Sequence, residues 1–151
     1  MHDFHYAGNE LYCEDVSVST IADSVGTPFY LYSTHTLENH FRVFDSAFKG
    51  IDHLTCFSVK ANSNLAVLKL IINLGGGVDI VSGGELFRVL KAGVDPRKVV
   101  FSGVGKQVHE LEYALKTGIL MFNVESSQEL DSLNTVAGRL GMKAPIAIRV
   151  N

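Results

Sequence analysis

The sequence is poor in cysteine, in net charge and in long apolar stretches. Cys13 and Cys56 are its two cysteines among 151 residues, and neither has a second cysteine or a histidine at metal-ligand spacing. We therefore expect neither a zinc site nor a disulfide framework. The six histidines form no metal pattern either. Two free thiols suit a reducing, cytoplasmic environment.

The net charge of −3 gives no electrostatic reason to expect nucleic acid or an anionic membrane as a partner. Residues 1–15 carry His, Asp and Glu where a signal peptide needs a basic stretch followed by an apolar run. No window approaches the roughly 18 apolar residues of a membrane span. With 46% apolar residues, the sequence predicts a soluble, cytoplasmic globular protein.

What the sequence does contain is a regular alternation of short β-type runs with helical segments. The runs are rich in Val, Ile and Phe, and they are His53–Lys60, Val78–Ser82, Val99–Ser102, Leu120–Glu125 and Ile146–Asn151. Polar residues near their ends recur every 19 to 24 residues, from Lys60 through Asp79, Ser102 and Glu125 to Arg149. That step is the length of one βα unit and favours a (β/α)₈ barrel over a doubly wound sheet, although spacing alone leaves the two near even. Five such strands predict an α/β fold with an incomplete TIM-type barrel, because closure needs eight.

Local signals support the helices between these runs. Ser82 with Glu85, and Ser126 with Glu129, match the capping box, and Lys91–Gly93 predicts a helix end. The glycines 75–77 precede a strand, so a helix stop and turn is favoured there over a phosphate cradle. Side-chain parity predicts four pairs of residues that share a strand face: Ser58 with Lys60, Asp79 with Val81, Asn123 with Glu125, and Arg149 with Asn151. If those faces point inward, polar groups gather at the carboxyl-terminal mouth of the barrel.

A different region precedes the first of these strands. Residues 10–12 and Thr27–Tyr32 have strand character, Val18–Val25 is predicted to be a short helix, and Ser33–Phe48 a longer one. We assign residues 1–33 to the N-terminal strands of a β-rich second domain and residues 34–151 to the first part of the barrel.

Lys60 is the candidate for chemistry. At a strand end its ammonium would be partly desolvated and its amine available as a nucleophile, although a lysine there more often just reaches solvent. The stretch Phe57–Asn64 (FSVKANSN) resembles the cofactor-lysine motif of the fold-type III pyridoxal-phosphate enzymes. Gly77–Glu85 (GVDIVSGGE) is similar to that family's second strand, and Ala147–Asn151 (AIRVN) to its fifth. The resemblance implies that Lys60 carries pyridoxal 5'-phosphate, and that Asp79 and Arg149 lie near the cofactor.

The opening segments narrow the resemblance. Residues 4–6, 10–12 and Thr27–Ser33 (TPFYLYS) look like the start of diaminopimelate decarboxylases. This implies decarboxylation of meso-diaminopimelate to L-lysine and CO₂, the last step of lysine biosynthesis, by a full-length homodimer. The family's phosphate loop, the acid at the pyridine nitrogen and the cross-dimer groups would lie beyond residue 151, so we expect the 151 residues alone to be inactive.

Several alternatives stay open. One is another enzyme of the same fold, such as an arginine, ornithine or carboxynorspermidine decarboxylase, or an amino-acid racemase. A second is a non-catalytic pyridoxal-phosphate carrier, against which the strands before Ser33 argue. A third is a structural half-barrel that binds nothing.

Overall fold

The computed structural model describes residues 2–150, which divide between Ile51 and Asp52 into two compact units. Within the described residues the first unit has a three-stranded sheet, and the second has a five-stranded sheet. The α/β class predicted from the sequence is confirmed. No helix in residues 2–150 combines the length and the apolar character that crossing a membrane requires.

The first unit consists of a short antiparallel sheet and two helices. Its strands are β1 (Phe4–Ala7), β2 (Glu10–Cys13) and β3 (Val16–Ser17), and its helices are α1 (Val18–Val25) and α2 (Thr34–Ser46). Both helices begin after a serine whose hydroxyl accepts a hydrogen bond from a backbone N–H of the first turn, Ser17 from Thr20 and Ser33 from Thr36.

The sequence predicted this unit in part. Strand β2 and both helices are confirmed, whereas β1 and β3 were not predicted as strands. The predicted strand Thr27–Tyr32 is wrong, because that segment is not a strand in the described chain. Its composition is β-like, but composition does not supply a partner strand. Pro28 has no N–H to donate, and Tyr30 is 91% exposed.

The two compact units divide after α2, whereas the predicted domain boundary follows residue 33. The β-rich domain to which residues 1–33 are assigned stays a prediction.

The second unit is a parallel sheet whose strands follow each other in chain order. The strands are β4 (Cys56–Ser58), β5 (Gly77–Ile80), β6 (Val99–Phe101), β7 (Met121–Val124) and β8 (Ile146–Ile148). Each pairs in parallel with the next, and the spatial order is β4-β5-β6-β7-β8. A doubly wound sheet would reverse its strand order, so the sequential order is that of a (β/α)₈ barrel. The described strands form an incomplete barrel of that type.

Four helices cover one face of this sheet. They are α3 (Leu65–Asn73), α4 (Gly83–Ala92), α5 (Val108–Thr117) and α6 (Ser127–Leu140). All four contribute to a single apolar core with the strands, through residues such as Leu68, Leu86, Leu111 and Leu133. Val78 and Ile80 of β5 lie fully buried in that core, whereas Asp79 between them points to the opposite face. The alternation therefore leaves one face of the sheet free for polar side chains.

The predicted capping boxes at α4 and α6 are half confirmed. Ser82 and Ser126 accept hydrogen bonds from the N–H groups of Glu85 and Glu129, as predicted. The glutamate carboxylates, however, accept from the residue before the cap, Glu85 from Val81 N–H at 2.7 Å and Glu129 from Glu125 N–H at 3.0 Å. Each glutamate therefore also fixes the last residues of the preceding strand-end loop, at the edge where the polar side chains gather.

Glycines 75–77 end helix α3 and begin β5, as predicted. Gly75 has a φ of 95°, in the left-handed region that favours glycine. Gly77 is required for a different reason, because a Cβ there would lie 2.6 Å from the carbonyl oxygen of Lys98.

Candidate active site

A cleft of ≈ 570 Å³ lies over the polar face of the second unit's sheet. Its polar lining comes from the carboxyl ends of successive strands and the residues just after them, namely Lys60, Asp79, Ser102, Asn123 and Arg149. The carboxyl ends of parallel strands are where barrel enzymes place their reacting groups. The structure thus brings the three sequence-predicted residues, Lys60, Asp79 and Arg149, to one cleft.

Lys60 is placed by a tight turn and not by the strand itself. Strand β4 ends at Ser58, and Val59–Ala61 forms a 3₁₀ helix. Val59 is fully buried and anchors the turn, while Lys60 is exposed. The turn places the Lys60 side chain in the cleft, where it is accessible to solvent, as a lysine at a strand end more often is. Partial desolvation of its ammonium stays a prediction.

The residues after Lys60 hold the turn in place. The side-chain oxygen of Asn62 accepts a hydrogen bond from the N–H of Asn64 at 3.0 Å. Asn64 in turn caps α3, accepting from the N–H of Ala66 at 2.8 Å. The motif FSVKANSN thus builds strand end, turn and helix start in one continuous stretch.

Asp79 belongs to a row of polar side chains that crosses the carboxyl ends of four neighbouring strands, β4 to β7. The Ser58 hydroxyl donates to Asp79 Oδ2 at 3.2 Å, and the Ser102 hydroxyl donates to Oδ1. Asn123 Nδ2 donates to the Ser102 oxygen at 3.0 Å. Hydroxyls on the strands to either side therefore fix both oxygens of this carboxylate, and the residue carries a fixed negative charge into the cleft.

Cys56 also lines this cleft, half-buried. Burial, and secondly the nearby charge of Asp79, raise the pKa of the Cys56 thiol above its usual value. A raised thiol pKa lowers the fraction of the nucleophilic thiolate.

Arg149 lines the cleft at the β8 edge of the sheet, opposite the β4 edge that carries Lys60. Strand β8 ends at Ile148, and the Arg149 N–H continues the ladder by donating to the carbonyl of Val124 at 2.9 Å. Its guanidinium donates to Glu125 Oε2 at 3.3 Å and is 55% exposed. Glu125 Oε1 accepts the Gly103 N–H at 2.7 Å, which orients the carboxylate. The predicted pairing of Arg149 with Asn151 on one face lies outside the described residues.

Sequence reasoning did not assign site roles to Ser58, Ser102, Asn123 or Glu125. Signals for all four were present. Ser102 and Glu125 belong to the series of polar strand-end residues that includes Lys60, and side-chain parity placed Ser58 and Asn123 on the same strand faces as Lys60 and Glu125. The predicted pairing of Asp79 with Val81 on one face is confirmed, because both residues line the cleft.

The residue types suit an aldehyde cofactor with an anionic group. The cleft offers a primary amine, a fixed carboxylate, a guanidinium and neutral hydroxyl and amide groups, and its volume falls within the range of small-molecule sites. Among residues 2–150 no group of three or more His, Cys, Asp or Glu could hold a metal ion.

Comparisons with known proteins identify the family of this chain. Residues 34–151 match the family described as pyridoxal-dependent decarboxylase, pyridoxal binding domain. The chain is 53% identical over its whole length to the diaminopimelate decarboxylase of Pseudomonas aeruginosa, of which it covers 36%. It is thus about a third as long as the curated relatives that it matches.

Solved structures give the same result. The crystal structure of a diaminopimelate decarboxylase from Helicobacter pylori, complexed with L-lysine, superposes with a TM-score of 0.86 at 48% identity, over 88% of this chain and 34% of that one. A crystal structure from Aquifex aeolicus superposes with a TM-score of 0.94 at 50% identity, over 99% of this chain and 37% of that one.

Proposed function

The chain belongs to the pyridoxal-dependent decarboxylase family, and from this premise we propose that it forms the cofactor-binding part of a diaminopimelate decarboxylase. The observation that carries the proposal is the shared cleft of Lys60, Asp79 and Arg149 at the carboxyl ends of the strands. The relatives' names support the choice of substrate. The activity is proposed for a protein of the relatives' full length, because this chain spans 36% of it.

Each of the three residues has a role that its surroundings support. Lys60 would hold pyridoxal 5'-phosphate through its amine, which stands exposed in the cleft. Asp79, fixed by two hydroxyls, would stabilise positive charge that develops beside Lys60. Arg149 would attract an anionic group, either the cofactor phosphate or a substrate carboxylate.

The reaction proposed is the loss of one carboxylate of meso-diaminopimelate as CO₂, with L-lysine as the other product. When bound, pyridoxal phosphate serves as the sink for the electron pair that the departing carboxylate leaves behind. The cleft residues supply the fixed charges and orient the reacting groups. We further propose that the full-length protein is a cytoplasmic homodimer, as the family resemblance implies.

A substrate panel tests this function in the full-length protein. CO₂ release is measured with meso-diaminopimelate, ornithine, arginine and L-lysine, and L-lysine formation is followed by chromatography. We expect release from meso-diaminopimelate alone, and its loss in Lys60→Met but not in Lys69→Met, which removes an exposed lysine of α3. If ornithine or arginine were decarboxylated faster than meso-diaminopimelate, the proposed substrate would be rejected. Full activity of Lys60→Met would reject the proposed role of Lys60.

A further inference from the structure

Lys106 carries a fully buried ammonium that lies outside the cleft lining. Its side chain is 0% exposed, and Nζ donates to Gly103 O at 2.7 Å, to Asn123 O at 2.8 Å and to Glu129 Oε1 at 2.6 Å. An ammonium has three protons, and these three acceptors use all of them. Nζ also lies 5.6 Å from the centroid of the Phe101 ring. Lysine is almost never fully buried without such partners.

These three acceptors lie in three different parts of the fold. Gly103 lies two residues after β6, Asn123 lies in β7, and Glu129 lies in the first turn of α6. One side chain therefore joins the carboxyl ends of two neighbouring strands to the start of a helix. This is the edge of the sheet at which the cleft forms.

A continuous set of hydrogen bonds leads from Lys106 to the cleft. The second oxygen of Glu129 accepts the Glu125 N–H at 3.0 Å. Glu125 then accepts the Gly103 N–H at 2.7 Å on one oxygen and the Arg149 guanidinium at 3.3 Å on the other. The Glu125 side chain is 10% exposed and Arg149 is 55% exposed, so the set runs from a buried end to an accessible one.

We propose that Lys106 is a positioning residue, which through Glu129 and Glu125 fixes the guanidinium of Arg149 for an anionic group in the cleft. The proposal rests on the proposed function, because it assumes that the anion is the phosphate of the cofactor or a carboxylate of the substrate. Lys106 is not among the residues that line the cleft. Its effect is carried by the orientation of Glu125.

A double-mutant cycle in the full-length protein tests this coupling. Lys106→Met, Arg149→Met and the double variant are compared for the dissociation constant of pyridoxal phosphate, from absorbance titration, and for the KM and kcat of meso-diaminopimelate. We expect Lys106→Met alone to raise either the cofactor dissociation constant or the KM about tenfold, which lies within the range of coupling energies for residues in one hydrogen-bond network. In the Arg149→Met background we expect Lys106→Met to cause no further loss. A change in the cofactor constant identifies the phosphate as the anion, and a change in KM with kcat retained identifies the carboxylate.

The matched control is Lys116→Met, which removes a 58% exposed lysine from an ion pair with Glu112 on α5. We expect it to change neither constant in either background. Equal losses from Lys106→Met with and without Arg149 would show a purely structural role and overturn the proposal. A wild-type protein that fails to bind pyridoxal phosphate would instead reject the proposed function.

Removing one partner of a buried ion pair can prevent folding. If Lys106→Met does not fold, Lys106→Met combined with Glu129→Gln removes both charges together and enters the same cycle. The variant Glu125→Gln, which keeps the side-chain shape and weakens the contact with Arg149, is expected to reproduce the loss in that same constant. A loss that is independent of Arg149 in both variants would overturn the proposal.

Discussion

Replacing Gly77 by alanine tests how closely the first strands of the barrel pack. An added Cβ would lie 2.6 Å from the Lys98 carbonyl oxygen, 2.9 Å from Cys56 Sγ and 3.0 Å from a methyl carbon of Leu54. The first of these atoms belongs to the backbone next to β6, so it cannot move unless the sheet shifts. Strain of this kind costs about 3 kcal/mol, at the upper end for overpacking. The folding equilibrium would fall more than roughly a hundredfold.

The assay is urea unfolding of the full-length protein, followed by circular dichroism. Gly138→Ala is the matched control, because its Cβ would meet no atom within 4 Å in helix α6. We expect Gly138→Ala to raise the free energy of unfolding by about 0.5–1 kcal/mol, since alanine favours the helix. If Gly77→Ala were as stable as the wild type, or if both variants were destabilised equally, the packing argument would be refuted.

Two further predictions concern the cleft and the first unit. Ser102→Ala removes a hydroxyl that donates to Asp79, so we expect about fivefold weaker binding of pyridoxal phosphate, measured by absorbance titration. The control is Ser132→Ala, which removes an exposed hydroxyl that donates to the Gln128 carbonyl in the same helix and should leave binding unchanged. Unchanged binding in Ser102→Ala would show that the Ser102 hydroxyl is not needed to hold Asp79 in place for the cofactor. In the first unit, the hydrogen bond from His35 to Asp3 raises the pKa of His35, and bonds from Thr36 and His35 lower the pKa of Asp3. The stability that Asp3 contributes to the folded unit is lost as pH falls through its lowered pKa. The stability that His35 contributes is lost as pH rises through its raised pKa. The pair therefore stabilises the unit most between about pH 4 and 6.5. NMR titration should show the His35 pKa falling in Asp3→Asn, and an unchanged value would contradict the pairing.

The barrel was predictable from the sequence because a parallel strand and its crossover helix impose their own length. Polar residues recurred every 19 to 24 positions, and all five predicted runs overlap observed strands. The helix Val18–Val25 was predicted with its observed bounds, since Ser17 caps it by local contacts alone. Local signals of this kind are contained in a few neighbouring residues.

Features that depend on distant partners were missed or wrong. Thr27–Tyr32 has strand composition but no strand partner in the described chain, and β3 is too short to produce a pattern. The exposure of Lys60 depends on the turn after β4. The burial of Lys106 depends on three acceptors 3, 17 and 23 residues away, which the sequence does not mark as its partners.

The proposed function depends on Lys60 as the residue that holds the cofactor. This role is tested by incubating the full-length protein with pyridoxal phosphate, reducing with borohydride and mapping the labelled peptide. We expect a single label on Lys60, in the peptide that contains FSVKANSN, and no label in Lys60→Met. A label on another lysine, or a protein that takes up no label, would contradict this role.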